Sequence, residues 1–403
     1  MFEKNMIECK RFPRNIWLLT LVSALAMAAA PLFILAGGLA GAELAPSPKW
    51  STLPIACVVL GAATGMVPAI YILKYLGRKA GSYVGLCCLA LSGLVCAWGC
   101  YISSFAVLCG GAVILGLGSS FTQQFRFAVI ESVQTKSQIA SALSLLLLGS
   151  SVGVLLGTEL GLRGQGMFGG AENFSGSFVL FVVVIMIAAI VLSGFRAPLV
   201  ELDDSSEPVR PLLEIARQPL FLVALAAAAV GYAVMSFLMT STPMVMHQGF
   251  GHSVADAKWV IQAHLLAMFL PSLVTGKLIE KIGIAWVLLL GALFYVFVLV
   301  VAMLGHQVMH FWWSLVLLGV GWNFLFVGGT TLLPQTYLAS ERHKVQALND
   351  GVVFTMQATA SLSAGWVVYA MGWSVQLLMC IPLVLVALVL ALTLLYKAPV
   401  ARV

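Results

Sequence analysis

Long apolar runs, separated from one another by short polar segments, make up most of the sequence from residue 15 onward. A helix needs about 20 consecutive apolar residues to cross the hydrocarbon core of a lipid bilayer. The pattern therefore predicts an all-α membrane protein with twelve transmembrane helices. The predicted helices cover residues 15–41, 50–73, 81–102, 105–127, 138–161, 176–195, 219–245, 254–276, 282–304, 309–333, 346–370 and 373–396.

The longest polar interruption lies between the sixth and seventh apolar runs, and it carries acidic and basic residues from Glu201 to Arg217. It leaves six predicted helices on either side. We therefore predict an N-terminal six-helix half over residues 1–195, a cytoplasmic linker over 196–218 and a C-terminal six-helix half over 219–403.

Short motifs recur at corresponding places in the two halves. Residues 73–79, Leu-Lys-Tyr-Leu-Gly-Arg-Lys, follow the second predicted helix, and residues 276–283, Gly-Lys-Leu-Ile-Glu-Lys-Ile-Gly, follow the eighth. Gly-Leu-Gly at 116–118 in the fourth helix corresponds to Gly-Val-Gly at 319–321 in the tenth. These matches indicate a duplicated six-helix unit, and parallel six-helix halves place a solute site between them.

Composition and charge support a membrane location and set the orientation. Apolar residues make up 61% of the chain and charged residues 9%, whereas a soluble domain carries roughly 25% charged residues. With a cytoplasmic N-terminus, the external loops retain only Lys49, Arg163 and Lys258 among the basic residues. Because cytoplasmic loops are enriched in Lys and Arg, we expect both termini in the cytoplasm. This topology accounts for the formal charge of +6, so we expect no nucleic-acid partner.

The two motif loops resemble, in degraded form, the Gly-x-x-x-Asp-Arg-x-Gly-Arg-Arg loop of the major facilitator superfamily. Lys74 stands where the first loop of that family carries aspartate, whereas Glu280 keeps the acid in the second loop. The resemblance implies the major facilitator fold and secondary transport by alternating access. The sequence contains no nucleotide-binding loop or catalytic triad, so we expect no enzymatic activity.

Soft or polar side chains inside two consecutive predicted helices are the candidate residues for a binding site. Met235 and Met239 lie four residues apart in the seventh helix, and so do His264 and Met268 in the eighth. Each pair therefore shares one helix face, and counting about 1.5 Å per residue from the external ends places the two pairs at similar depth. Thioether and imidazole ligands favour Cu(I) over the hard divalent ions. Two alternatives stay open, since methionine pairs also pack in apolar helices and a membrane histidine also serves as a proton relay.

The residues around these pairs resemble the CcoA-type bacterial copper importers, a subfamily of the major facilitators. The similarity extends over residues 124–127, 234–243, 262–272, 321–324 and 341–350. The resemblance implies that the four residues named above bind copper as a transported substrate. It also implies import across the bacterial inner membrane, for cytochrome oxidase assembly, with a cytoplasmic copper chaperone or acceptor as partner. We expect a monomer in the lipid bilayer with no resident cofactor.

The positions of two further groups of residues predict roles in metal capture and in gating. Soft ligands in two external loops are candidates for the capture of periplasmic copper, namely His247, His252, His306, Met309 and His310. Charged residues near the cytoplasmic helix ends are candidates for gating, namely Arg126, Glu280, Lys281, Glu341, Arg342 and Asp350. Solvated loop histidines and snorkelling side chains are the alternatives to these roles.

Two other functions remain open from the sequence. A major facilitator that carries a small organic solute, such as a vitamin or a drug, would line its site with aromatic rings and a few hydrogen-bonding groups. Trp322, Asn323 and Trp366 are available for that purpose. A membrane-bound copper-handling protein would instead bind the metal without transporting it.

Overall fold

The computed structural model describes residues 12–133, 139–170, 173–196, 210–338 and 341–397. Within those residues the backbone forms α-helices with short 3-10 and π-helical turns, and it forms no strand. Nine helical stretches of the described chain are long and apolar enough to cross a membrane, or ten when a bent pair counts as one span. One stretch, Pro48–Tyr101, holds two spans, and Ile139–Gly164 adds another, so the described chain has the twelve predicted helices.

The N-terminal half comprises six of these helices. They are α1 (Arg14–Leu44), α2 (53–76), α3 (78–101), α4 (Phe105–Thr122, continued by Phe125–Glu131), α5 (Ile139–Gly164) and α6 (Ser175–Ser193). Most of the predicted linker, residues 197–209, lies outside the described residues.

The C-terminal half follows a short helix, Leu212–Ala216. Its helices are α7 (Pro219–Gly249), α8 (Val254–Phe269 and Ser272–Ile282, bent by 43°), α9 (Ile284–Leu304), α10 (Val308–Leu332), α11 (Arg342–Met371) and α12 (Trp373–Lys397).

The two motif loops have the same backbone conformation. Gly77 divides α2 from α3 with φ 80° and ψ 163°, and Gly283 divides α8 from α9 with φ 89° and ψ 154°. Only glycine adopts this region without strain, because it has no Cβ. The helix continues on both sides of Gly77, where the sequence pattern predicts a polar loop, because the backbone hydrogen bonds of a helix persist in water. At about 1.5 Å per residue, the 49 residues from Leu53 to Tyr101 would measure more than twice a bilayer core, so the chain reverses at this glycine.

The paired glycines of α4 and α10 let these helices approach their neighbours closely. A Cβ on Gly116 of α4 would lie 2.1 Å from the Val58 carbonyl oxygen of α2, and a Cβ on Gly319 of α10 would lie 2.5 Å from the His264 carbonyl oxygen of α8. Such contacts are shorter than any real Cβ makes, so both positions require glycine for this packing. The fourth helix of each half therefore packs in the same way on the second helix of that half.

The two halves meet at the external ends of their helices. Helix α5 packs on α8, and the external end of α2 packs on that of α11. The Gly365 N–H of α11 donates to the Thr52 hydroxyl at 3.1 Å, and Gln262 of α8 donates to the Thr158 hydroxyl of α5 at 2.7 Å. These hydrogen bonds join the N-terminal half to the C-terminal half on the external side.

Candidate functional site

The four predicted metal ligands all lie inside the helix bundle. Met235 and Met239 of α7 are each 5% exposed, Met268 of α8 is 6% exposed, and His264 has no exposed surface. These four side chains therefore face protein rather than lipid.

His264 is held in one tautomer. Its Nδ1 lies 2.7 Å from the Leu315 carbonyl oxygen of α10, and since a carbonyl only accepts, Nδ1 carries the proton. In the neutral ring the lone pair is then on Nε2, which is buried and has no hydrogen-bond partner among the described residues. The imidazole thus offers one free acceptor nitrogen in a buried setting.

Helices α7 and α8 are consecutive in the chain, yet they are not a close pair in the bundle. Helix α8 packs mainly on α10 and α5, whereas α7 packs mainly on α11 and α10. The Ser236 hydroxyl donates to the Met235 sulfur at 3.9 Å. No hydrogen bond of the described residues joins Met235 or Met239 to His264. The structure brings the His264–Met268 pair onto α10 and leaves the convergence of all four side chains a prediction.

The external histidines connect two loops through the backbone. His247 donates from Nδ1 to the His252 carbonyl oxygen at 2.8 Å, and His252 donates from Nε2 to the His306 carbonyl oxygen at 2.7 Å. His310 packs on Gly305 with its Nδ1 buried, and Met309 is exposed. The part of the chain that the structure describes contains no group of three or more His, Cys, Asp or Glu residues placed to hold a metal ion.

One predicted gating residue, Glu341, forms an ion pair inside the C-terminal region. The Arg210 guanidinium donates two hydrogen bonds of 2.7 Å to the Glu341 carboxylate, and the Leu338 N–H donates a third at 2.8 Å. The hydrogen bonds from Arg210 are the main cause that lowers the pKa of Glu341 to about 2. This pair ties the end of the linker to the start of α11 and does not cross between the halves.

The other predicted gating residues occupy different places. Glu280 and Lys281, at the cytoplasmic end of α8, are exposed. The side chain of Arg342 lies outside the described residues. Arg126 of α4 and Asp350 of α11 are exposed, and they belong to different halves.

An ion pair that the sequence pattern did not predict joins the halves on the external side. The Lys258 ammonium of α8 lies 2.6 Å from one oxygen of the Glu159 carboxylate of α5, and Arg163 lies 3.1 Å from the other. The Lys258 side chain is only 17% exposed. The only sequence signal for this pair is that an acid and a base both occur near external helix ends, and pairing them requires the packing of α5 on α8.

Four aromatic rings from three helices form a cluster in the C-terminal half. Tyr232 of α7 contacts Trp322 and Phe326 of α10 edge to face, with centroids 5.2 and 5.3 Å apart, and Phe354 of α11 at 6.5 Å. Trp322 and Phe326 stack at 4.9 Å. We call these four residues the aromatic cluster. Tyr232, Phe326 and Phe354 are half-buried, whereas Trp322 is 5% exposed.

Polar groups border the aromatic cluster. The Trp322 indole N–H is buried without a hydrogen-bond partner among the described residues. The two charged groups that act on the Tyr232 hydroxyl are those of Asp350 and Arg126. Asp350 lies one helical turn before Phe354, on the same face of α11. The arrangement offers flat apolar surface, one unused donor and two opposite charges.

Two residues suggested for an organic-solute site lie outside the aromatic cluster. The Asn323 amide donates to the Met268 carbonyl oxygen at 2.8 Å and to Ser272, and it accepts from Thr275 at 2.7 Å. It therefore holds the bend of α8 against α10. Trp366 is 43% exposed on α11 and is absent from the aromatic cluster. Of the three suggested residues, only Trp322 lies in that cluster.

Comparison with known proteins identifies the family. The model of the Major Facilitator Superfamily matches residues 15–253 and 225–403. The riboflavin transporter RfnT of Brucella anthropi is 37% identical over 386 residues, which cover 95% of this chain and 96% of that protein. The uncharacterised MFS-type transporter YddS of Bacillus subtilis is 27% identical, with 83% of this chain and 80% of that protein covered.

Solved structures share the fold at low identity. A bacterial homologue of the human lysosomal transporter Spinster, in an inward-facing and occupied conformation, has a TM-score of 0.71 with 15% identity and covers 94% of this chain and 95% of its own. The human organic anion transporter MFSD10 (TETRAN) has a TM-score of 0.63 with 15% identity and covers 94% of this chain and 99% of its own.

The chain belongs to the Major Facilitator Superfamily. It is a multi-pass membrane transporter with two six-helix halves, and it is not an enzyme. The narrower expectation of a copper importer finds no support in these comparisons, because a relative that is 37% identical over 95% of this chain is a riboflavin transporter.

Proposed function

We propose that this protein carries a small, flat organic solute of the vitamin class across a bacterial inner membrane by alternating access. Riboflavin is the first solute to test, because a relative that is 37% identical over nearly the whole chain is a riboflavin transporter. The bacterial origin of the relatives supports the inner membrane as the location.

The observation that carries this proposal is the aromatic cluster. A fused ring system binds by stacking, and Tyr232, Phe326 and Phe354 each keep part of their ring exposed. The buried Trp322 N–H lacks a partner, and a ring carbonyl would supply the acceptor that it needs. Such a mainly apolar site with a few polar groups is typical of small-molecule binding.

The contacts between the halves support the alternating-access part of the proposal. The halves are joined externally by Lys258–Glu159 and by Gly365–Thr52, while Arg126 and Asp350 are exposed toward the cytoplasmic side. A solute released from the aromatic cluster in this state would leave toward the cytoplasm, the direction expected of an importer.

Uptake in a riboflavin-auxotrophic bacterium tests this proposal. Cells that express the protein should grow at limiting external riboflavin and accumulate labelled riboflavin, whereas cells with the empty vector should not. Trp322→Ala should reduce the initial uptake rate about two- to tenfold, since it removes the indole N–H and a hydrogen bond to the solute is worth about 0.5–1.5 kcal/mol. Trp366→Ala is the matched control and should transport at the wild-type rate, because Trp366 is 43% exposed and contacts none of the rings of the aromatic cluster. Growth equal to that of the empty vector would contradict the proposal.

Copper import is the second candidate, and one observation favours it. A metal-binding histidine commonly donates its other ring N–H to a backbone carbonyl, as His264 does to Leu315. Its Nε2 lone pair is unpartnered, and Met268 lies one turn away on the same helix face. Under this alternative, copper ion is the substrate, Met235 and Met239 join the site, and a cytoplasmic acceptor receives the metal.

Copper accumulation separates the two candidates. Under the organic-solute proposal, cells that express the protein accumulate no more radioactive copper than control cells at limiting external copper, and His264→Ala leaves that level unchanged. Copper accumulation above the control level that disappears in both His264→Ala and Met235→Leu would favour the second candidate. Copper binding by the purified protein without accumulation in cells would instead indicate a copper-handling protein that does not transport.

A further inference from the structure

We propose that three tryptophan rings and one arginine on the external side form a binding site for a phospholipid of the external leaflet, where α5 and α8 join the two halves. The rings are Trp259 of α8 and Trp312 and Trp313 of α10, which we call the tryptophan cluster, and the arginine is Arg163 of α5. This inference does not depend on which solute the protein carries.

The rings of the tryptophan cluster touch one another across two helices. Trp259 and Trp312 stack with their centroids 5.4 Å apart, and Trp313 meets Trp312 edge to face at 4.7 Å. Trp259 is 44% exposed and Trp313 is 50% exposed. Among the described residues, neither of these two indole N–H groups has a hydrogen-bond acceptor. The cluster therefore presents flat apolar surface together with two available donors.

The face of α8 that carries Trp259 is directed at lipid. Lys258 and Gln262 bond to α5, and His264 bonds to α10, so two other faces of the helix are covered by protein. Trp259 lies outside both of these faces, on the same side as Leu270, which is 43% exposed. Exposed apolar residues along one side of a membrane-spanning helix contact the hydrocarbon around it.

The depth of the tryptophan cluster matches the ester level of the bilayer. Helix α10 runs from Val308 to Leu332, and at about 1.5 Å per residue Trp312 and Trp313 lie about 10–12 Å external to its midpoint. Half of the hydrocarbon core measures about 15 Å. Because side chains lean toward the N-terminus of their helix, which is external here, the rings reach the border of that core. An indole N–H at this depth can donate to the ester carbonyl of a phospholipid.

A cation lies on the water side of this level. Arg163 is one helical turn external to Glu159 on α5, and its side chain is 77% exposed. Its Nε–H donates to the Glu159 carboxylate at 3.1 Å, which leaves the terminal N–H groups of the guanidinium available. Lys258 occupies the other carboxylate oxygen, and the nearby Asp256 carboxylate is engaged by Ser253 at the N-cap of α8. Arg163 is therefore the group placed to bind a phosphodiester, whose oxygens match a guanidinium.

The order of the groups selects a phospholipid as the occupant. The guanidinium lies at the water side, the indole donors lie at the ester level and exposed leucine lies deeper, as the phosphate, the esters and the acyl chains do in one lipid molecule. Arg163 belongs to the N-terminal half, whereas the tryptophan cluster belongs to the C-terminal half. A lipid held by both would favour the externally closed state, because separation of α5 from α8 would divide its site.

Binding of two lipids to the purified protein, titrated in detergent by native mass spectrometry, tests the site. The probes are dioleoyl phosphatidylglycerol and its diether analogue, which has the same headgroup and chain length but no ester carbonyl. The wild-type protein should bind the diester about three- to tenfold more tightly, as expected for one hydrogen bond to a carbonyl. Trp259→Phe combined with Trp313→Phe keeps the rings without their N–H groups and should bind the two lipids equally. Arg163→Gln should weaken both lipids by a similar factor and keep the preference for the ester.

Controls separate this site from general contact with lipid. Trp286→Phe replaces an exposed tryptophan at the cytoplasmic end of α9 and should bind both lipids as the wild type does. Equal binding of diester and diether by the wild type would overturn the proposal, and this comparison needs no variant. A preference for the ester that survives in the double variant would overturn it as well, because the carbonyl would then be read elsewhere. Excess inorganic phosphate should leave the lipid bound, and its displacement would indicate a site for a free anion instead.

Discussion

The contact between α10 and α8 at Gly319 gives the sharpest prediction about the fold that supports the site. Gly319→Ala would place a Cβ 2.5 Å from the His264 carbonyl oxygen and 2.9 Å from the Ala267 Cβ. Neither atom is the end of a flexible side chain, so the two helices must separate. Overpacking of this kind costs about 1–3 kcal/mol. The separation would also lengthen the 2.7 Å bond between His264 and Leu315.

A matched glycine isolates the packing cost. Gly351 lies within α11, and a Cβ there would meet no atom within 4 Å. Gly→Ala in a helix interior gains about 1 kcal/mol from helix propensity at either position. The free energy of unfolding of Gly351→Ala should therefore rise slightly, and that of Gly319→Ala should lie about 1–3 kcal/mol below it.

The assay is unfolding of both purified variants in the same detergent, followed by circular dichroism. The difference between the two variants is the quantity of interest, since the propensity gain is common to both. Equal stability of Gly319→Ala and Gly351→Ala would refute the close α8–α10 packing and, with it, the placement of His264 against α10.

Three further predictions follow from other contacts. Glu159→Gln should weaken the external connection to Lys258 by about 1 kcal/mol, which shifts the balance toward an outward-open state about fivefold. The external ends of α5 and α8 should then exchange amide hydrogens faster than in the wild type. Slower or unchanged exchange would contradict the role of this pair. Arg210 lowers the pKa of Glu341 to about 2, so the contribution of Glu341 to stability is complete above the ordinary glutamate pKa and disappears as the pH falls through about 2. Between pH 6 and pH 2, the midpoint of thermal unfolding should therefore fall further in the wild type than in Glu341→Gln. Parallel curves for the two proteins would contradict the ion pair. Gly283→Ala should lower the same midpoint at neutral pH, since an alanine at φ 89° is strained by about 1–3 kcal/mol, and an unchanged midpoint would contradict the conformation of this loop.

Helix number and orientation were predictable because the bilayer imposes them locally. Each span needs about 20 apolar residues, and each cytoplasmic end collects basic residues, so neither property depends on distant parts of the chain. Helix ends were less predictable. At residues 74–80 the polar side chains indicate a loop, yet the helix passes through them and breaks only at Gly77, because charged side chains in water do not prevent helical hydrogen bonds.

The site was less predictable because it depends on which helices are neighbours. Counting residues along α7 and α8 predicts a shared depth for Met235 and His264, and a hairpin predicts that their helices are adjacent. In the structure α10 takes the place of α7 beside His264, owing to the close approach at Gly319. Adjacency in the sequence does not fix adjacency in a helix bundle.

The aromatic cluster could not be predicted from the sequence for the same reason, since it depends on which helices are neighbours. Tyr232, Trp322 and Phe354 come from three helices that are distant in the chain, and no local spacing connects them. For Asn323 the sequence suggests a role that the structure assigns elsewhere, because a buried amide in a membrane helix is a candidate solute ligand. Its hydrogen bonds are instead used within the protein, to hold α8 at its bend.

Transport by purified protein tests the central claim most directly. Proteoliposomes that contain the wild-type protein should accumulate labelled riboflavin with saturable kinetics, excess unlabelled riboflavin should abolish that uptake, and Tyr232→Ala should reduce it about tenfold. The same vesicles should take up labelled copper no faster than empty liposomes. Saturable copper uptake without riboflavin uptake would contradict an organic solute as the cargo.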